Sequence, residues 1–206
     1  METARIPSQH PRLEALGLGK QYQGQWLFHS WNMVLEIGQG LALTGPNGSG
    51  KSTLLQCLGG LIRPDSGTLT WGGQEDPYPA CSLAAPYLEL PTEYTLDELV
   101  RFHFAINPIT PGLDPFLHLK QSGLDPQSTR RLKHYSSGMI QKVKLTLALV
   151  TDAPLLLLDE PHSHLDRQAQ TWFQELLARV MPHRVCVMAS NDPQEYQQCA
   201  QSFQLG

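Results

Sequence analysis

The sequence predicts a doubly wound α/β sheet, and three observations carry that expectation. Leu41-Ala42-Leu43, Leu155-Leu156-Leu157-Leu158 and Val185-Cys186-Val187-Met188-Ala189 are short runs, apolar on both faces, as central parallel strands are. Stretches of helical pattern alternate with them. A glycine-rich run, Gly45 to Thr53, joins the first of these strands directly to a helical segment, Ser52 to Leu58.

In chain order, residues 13 to 44 read as β-rich, with Trp26-Leu27-Phe28 and then Met33 to Ile37 before a turn at Gly38 and Gly40. The helix after the glycine-rich run ends at Gly59-Gly60. Arg63 to Gly67 is a turn feeding a short strand, Thr68 to Trp71, closed by Gly72-Gly73. From about 75 to 135 the chain is rich in proline (Pro77, Pro79, Pro86, Pro91, Pro108, Pro111, Pro115, Pro126). Thr95-x-x-Glu98 is a capping box that opens a helix from Leu96 to Ala105. A helix from Ser137 or Gly138 to Val150 leads, through Pro154, into the second apolar strand, and Asp166 to Arg179 is helical. Asp192-Pro193-Gln194-Glu195 has the form of a helix start: an N-cap, proline at the first position and an acid at the third. The whole is expected to be one domain over 1–206, with a helical lobe inserted at about 75–150.

Composition narrows the class. Of 206 residues, 41% are hydrophobic and 17% charged, as in a soluble globular protein, and no apolar run approaches the roughly 18 to 20 residues of a membrane-spanning helix. Met1 to Lys20 carries charges and two prolines without a continuous apolar core, so it does not read as a secretory signal. The expected location is cytoplasmic, with any membrane attachment made through a partner. A formal net charge of −4 and the lack of a basic tract give no footprint for nucleic acid. Cys57, Cys81, Cys186 and Cys199 have no metal-type spacing, and the first and third fall in apolar segments as free thiols do.

Gly45-Pro46-Asn47-Gly48-Ser49-Gly50-Lys51-Ser52-Thr53 fits the phosphate-binding pattern G-x-x-x-x-G-K-[ST] in its required strand-to-helix setting. Its glycines let successive backbone N–H groups turn inward on an anion, and the helix start adds unpaired N–H groups. Lys51 is suited to reach the β- and γ-phosphates of ATP, and the Ser52 hydroxyl to ligate Mg²⁺. The strand 155–158 ends in Asp159-Glu160. Asp159 is expected to hold Mg²⁺, directly or through water, and Glu160 to polarise a water for attack on the γ-phosphorus. Tyr135-Ser136-Ser137-Gly138-Met139 precedes a helix, and in isolation it reads as a helix N-cap.

These motifs, in this order over roughly residues 13 to 206, resemble the ATP-binding cassette family. That resemblance implies a P-loop NTPase core with an N-terminal antiparallel β-subdomain and an inserted helical subdomain. Tyr135 to Met139 is similar to the family's signature L-S-G-G-Q, so Ser136, Ser137 and Gly138 are implied to bind the γ-phosphate held by a second chain. The implied assembly is a head-to-tail dimer, homo- or hetero-, sandwiching two ATP molecules. Tyr22 sits where the family has an aromatic that stacks on adenine, although a plain surface tyrosine is the other reading. Ser163-His164-Leu165-Asp166 is similar to the family's loop across the dimer interface. The implied activity is ATP hydrolysis that powers a transporter, of exporter type, through a separate integral membrane subunit. In length the chain is similar to the haem-exporter ATPase of cytochrome c maturation.

Two stations depart from the family pattern. Where a glutamine usually follows the strand ending near Pro86, the nearest residue is Tyr87, and the next polar one is Glu89. Where a histidine usually contacts the γ-phosphate, the chain has Asn191, which can donate a hydrogen bond but carries no charge. The expectation is intact ATP binding with slow or conditional hydrolysis, Asn191 standing with Glu160 and Lys51 as the catalytic set. Two other readings stay open: a nucleotide-gated dimerising module with little turnover, and a soluble ATPase of the family unconnected with transport.

Overall fold

The computed structural model describes residues 12–75 and 81–206. Pro77 and Pro79 and most of Met1 to Lys20, read above as no secretory signal, lie outside the described residues. Two sheets and a helical lobe divide the chain. Strand β1 (Arg12–Tyr22) turns back into β2 (Gln25–Glu36). Both lie in a four-stranded antiparallel sheet with β4 (Ser66–Trp71) and the two-residue β5 (Gln74–Glu75), in the order β2-β1-β4-β5. The second sheet is parallel, in the order β6-β7-β8-β3-β9, from β3 (Gly40–Thr44), β6 (Cys81–Ala84), β7 (Leu155–Asp159), β8 (Val185–Ala189) and β9 (Gln201–Gln204).

The parallel sheet is buried on both faces. In β7, Leu155 and Leu157 join the core beneath the antiparallel sheet, with Leu54, Leu58, Trp31 and Leu35. Leu156 and Leu158 point the other way, into the core formed with α4 (Ser137–Val150) and α5 (Arg167–Val180). Successive side chains of a strand alternate faces, so a strand covered twice must be apolar throughout. Helix α5 buries Ala169, Trp172, Phe173, Leu176, Leu177 and Val180, the three- and four-residue spacing of one helical stripe, and Asp166 caps it by accepting from the Ala169 N–H at 2.8 Å.

The helical lobe comprises α2 (Leu96–Ile106), α3 (Pro115–Gln121) and the first half of α4. It has its own core, where Leu96, Leu99, Val100, Leu119 and Leu132 meet Val143 and Leu147 of α4. Leu145, Ala148 and Leu149 of that same helix belong to the core of the parallel sheet. Helix α4 therefore joins lobe and sheet through two apolar faces. Residues 74–75 and 81–84 pair within the two sheets rather than in the lobe.

Three segments differ from the sequence expectation. The β-rich start is two long strands rather than several short ones, because bulges near Leu18 and Lys20 let β1 keep pairing past Gly17 and Gly19. No helix follows Asp192-Pro193: Glu195 N–H closes a turn onto Asp192 O at 3.0 Å, and the Glu195 carboxylate leaves the segment to accept from His162 N–H. The polar run Gln201–Gln204 forms the edge strand β9 against β3. All four cysteines are free, with Cys57 and Cys186 buried.

The capping box forms in full: Thr95 Oγ1 accepts from Glu98 N–H and the Glu98 carboxylate accepts from Thr95 N–H at 2.8 Å. Thr95→Ala removes one helix-end partner and is expected to destabilise by about 1 kcal/mol. Thermal unfolding should then fall by about 2–4 °C; an unchanged midpoint would mean that the lobe holds α2 without its cap.

Candidate functional site

The phosphate loop is built where β3 runs out of the sheet. At Gly45 the backbone adopts φ 133°, and a Cβ there would collide with the Leu205 carbonyl oxygen, so only glycine fits. Pro46 O accepts from Ser49 N–H at 3.1 Å, leaving Asn47 and Gly48 exposed at the apex. Gly50, also left-handed, is the N-cap of α1 (Lys51–Leu58), and Thr53 lies half-buried in its first turn. The Lys51 side chain is 6% exposed and curls back over the loop, its ammonium donating to Gly45 O at 2.6 Å and Pro46 O at 3.2 Å. A buried cation held by two neutral carbonyls, beside open helix N–H groups, suits an anion. The Ser49 hydroxyl is buried without a hydrogen-bond partner among the described residues, which also fits a ligand with acceptor oxygens.

The carboxyl ends of β7 and β8 face this loop. Asp159 is 2% exposed, and burial raises its carboxyl above the ordinary range. A hydrogen bond from the Ser52 hydroxyl opposes that rise, Glu160 adds to it, and Lys51 lowers it. A buried carboxylate beside a hydroxyl oxygen is the donor chemistry of a hard divalent cation, so Ser52 and Asp159 fit Mg²⁺. Glu160 has φ 45°, uncommon for a residue with a side chain, and its N–H donates to Ala189 O at 2.9 Å. Its exposed carboxylate accepts from Ser163 Oγ at 3.3 Å. Asn191, just past β8, accepts from Gly45 N–H through Oδ1 at 3.1 Å. Lys51, Ser52, Asp159, Glu160 and Asn191 thus converge at the carboxyl ends of β3, β7 and β8, where parallel sheets bind ligands.

Ser136, Ser137 and Gly138 are elsewhere. Ser136 caps α4 by accepting from Met139 N–H at 3.3 Å, Ser137 begins the helix, and a Cβ on Gly138 would come within 2.6 Å of His164 O. The Gln141 side chain, 4% exposed, donates to Pro161 O at 3.0 Å. The start of α4 is therefore keyed to the loop after Glu160, and none of these contacts reaches the phosphate loop. Tyr22 ends β1 at the hairpin turn, 49% exposed, with Lys20 Nζ 5.6 Å from its ring centroid. The neighbouring strand meets the phosphate loop: Leu27 Cβ is 3.3 Å from where a Cβ on Gly50 would be. Tyr87 follows β6, its phenol pushed up to about 12 chiefly by burial, hydrogen-bonded to Gln56 and close enough to Asp159 to feel its charge.

Gln56 and Gln141 take part in this region without any mark in the sequence, and Glu195, marked there only as a helix-start acid, takes part by accepting from His162 N–H. Gln141 and Gln56 are single polar residues within helices, and only the fold sets them against Pro161 O and Tyr87.

A carboxyl whose folded value is raised opposes folding above that value, and the opposition vanishes once pH falls below its unfolded value. Asp159→Asn is therefore expected to stabilise the nucleotide-free protein at neutral pH by about 0.5–2 kcal/mol. The gain should shrink to nothing as pH falls through the ordinary carboxyl range, while Mg²⁺-dependent nucleotide binding is lost. Urea unfolding at both pH values checks this, and destabilisation at neutral pH would contradict it.

The ABC transporter family profile matches residues 28–99 and 114–163. The chain is 34% identical over 165 residues to the cytochrome c biogenesis ATP-binding export protein CcmA of Nitrosococcus oceani, covering 77% of this chain and 76% of that one. It is likewise 34% identical over 173 residues to the thiamine import ATP-binding protein ThiQ of Salmonella choleraesuis, covering 75% and 70%. A putative ABC transporter ATP-binding protein from Pyrococcus furiosus shares the fold, with a TM-score of 0.80 at 20% identity over 94% of this chain and 97% of that one. The chain belongs to the ABC transporter family, as one of its ATPase subunits.

Proposed function

We propose that the chain binds MgATP on its phosphate loop, closes on it with a second ATPase chain head to tail, and drives a separate integral membrane subunit by hydrolysis. The observation that carries this reading is the split of the site. Phosphate loop, Asp159, Glu160 and Asn191 stand at the carboxyl ends of β3, β7 and β8, whereas Ser136 to Gly138 start α4 away from the phosphate loop, with Ser136 as its N-cap. A γ-phosphate held by a second chain would complete them.

In this reading the phosphate-loop N–H groups and Gly45 to Thr53 cradle the β- and γ-phosphates. Lys51 leaves its two carbonyl partners for the anion, and Tyr22 stacks on the adenine. Ser52 and Asp159 hold Mg²⁺, which supplies charge neutralisation at the phosphates. Glu160 accepts the proton of the attacking water, its position set by the N–H bond to Ala189 O. Asn191 donates a neutral hydrogen bond where a charged group would hold the γ-phosphate more strongly, and Tyr87 stays a neutral phenol beside Asp159. Both departures leave binding intact and make hydrolysis slow or conditional.

An export direction is supported by the likeness to CcmA, but the equal identity to ThiQ, an import protein by its name, weighs against reading direction from sequence. Among the described residues no helix is long and apolar enough to cross a membrane, which agrees with a peripheral subunit on the cytoplasmic face. Extraction of the tagged chain from native membranes should bring a polytopic protein in stoichiometric amount. Recovery of soluble partners alone would favour the nucleotide-gated module.

Two substitutions separate binding from chemistry. Glu160→Gln keeps the side chain's size and removes the base, so steady-state hydrolysis should fall by about 10²-fold or more while ATP affinity stays within a few-fold. Asn191→His should raise turnover by about 10-fold or more. Equal turnover of the wild type and Asn191→His would mean that Asn191 does not limit the reaction.

A further inference from the structure

Beside the nucleotide site is a second cluster whose chemistry the ATPase reading does not use. His162, three residues from Asp159, faces Asp192 and Glu195 from the loop after β8, and one ligand atom of each lies within 4.8 Å of the others. His162 Nδ1 is 3.9 Å from Glu195 Oε1. The His162 and Glu195 side chains are each 7% exposed, so both are more than nine-tenths buried.

Two polar atoms there are left over. His162 Nδ1 is buried without a hydrogen-bond partner among the described residues, and so is Glu195 Oε2 apart from the nearby Ser190 hydroxyl, which lowers that carboxyl. Glu195 Oε1 accepts from His162 N–H at 2.9 Å, which turns the carboxylate into the cluster. Leaving buried polar atoms unpaired is costly, so the arrangement suits a ligand that satisfies both at once. A metal on Nδ1 moves the ring proton to Nε2, which lies 3.2 Å from Gln174 Nε2, so the Gln174 amide must turn away to admit the ion. The ring is kept neutral by burial, the state a metal requires. Asp192 is exposed and uses Oδ1 to accept from Gln194 N–H, leaving Oδ2 to close the set from the solvent side and give the ion a route in.

We propose that His162, Glu195 and Asp192 form a binding site for one divalent transition-metal ion of the Zn²⁺ class, separate from the Mg²⁺ site. One nitrogen and two carboxylate oxygens suit Zn²⁺ or Co²⁺ and are poor for Mg²⁺, which prefers oxygen alone. Bonds of roughly 2.0–2.2 Å require the three ligand atoms to draw together from their present separations. Exposed Asp192 and a carboxylate rotation at Glu195 can supply that movement. A fourth position stays open to water. The bound ion would tie the segment after Glu160 to the segment after Asn191, the two chain ends that border the γ-phosphate position.

The test is Co²⁺ titration of the nucleotide-free full chain in excess Mg²⁺, followed by the visible bands of four- or five-coordinate Co²⁺ and by Zn²⁺ displacement. One equivalent should bind per chain. The bands should vanish in His162→Gln, and affinity should fall at least about 10-fold in Asp192→Asn. Asp192 is exposed, so its variant folds and decides the matter even if His162→Gln does not. No stoichiometric binding, or bands that persist unchanged in Asp192→Asn, would overturn the site; the second result would place the metal at a cysteine or at the phosphate loop. Because no nucleotide is present, either result leaves the ATPase reading untouched, and loss of hydrolysis would leave this one untouched.

Discussion

Asp159 is a carboxylate at the tip of a strand with no solvent on either face, and most of the site's arrangement answers to that. An anion in such a place is unfavourable unless cations or donors surround it. The chain supplies a hydroxyl from Ser52, an ammonium from Lys51 and a neutral phenol nearby at Tyr87. The two donors stand at the start of α1, which packs on the same core as β7 through Leu54, Leu55 and Leu58. The apolar burial that stabilises the sheet is thus also what fixes phosphate loop and acid face to face. The same burial leaves the Asp159 carboxyl raised, with Ser52 and Lys51 only partly offsetting it.

How much of this could be read from residues alone follows from how local each feature is. The phosphate loop, the acid-tipped strand, the Thr95 capping box and the helix starting at Ser137 depend on residues within one turn or one strand, and each appears within a residue or two of its expected position. Strand β9 was invisible because Gln201, Ser202 and Gln204 are polar, and only backbone pairing to β3 makes them a strand. The length of β1 was hidden by Gly17 and Gly19, which break the alternation that pairing to β2 and β4 restores. At Asp192 to Glu195 the helix signal was sound as local chemistry. It lost to a tertiary contact, since the Glu195 carboxylate bonds to His162 N–H on the far side of the β7–β8 edge. The converging site residues were individually legible, whereas Gln56, Gln141 and His164 acquire their parts only through the packing of α1 against Tyr87 and of α4 against the loop after Glu160.

Helix α4 has a mechanical consequence. Its two apolar faces belong to different cores, so the lobe cannot shift relative to the parallel sheet without moving the start of α4. That start contacts His164 through Gly138 and Pro161 through Gln141, both in the loop that leaves Glu160. A displacement of the lobe by a partner would reach Glu160 by direct contact, without a long chain of intermediates. Since Glu160 already sits at φ 45°, small changes in that loop alter a backbone conformation that has few alternatives.

Tyr87 puts a phenol where a carboxamide would make a different set of hydrogen bonds. A carboxamide there could accept from a metal-bound water and donate to a phosphate oxygen, switching partners as the nucleotide changes. The phenol of Tyr87 stays protonated, its value pushed up to about 12 chiefly by burial, and its oxygen accepts a hydrogen bond from the Gln56 side chain. Tyr87 is thereby held to α1, the helix that carries both Gln56 and Lys51.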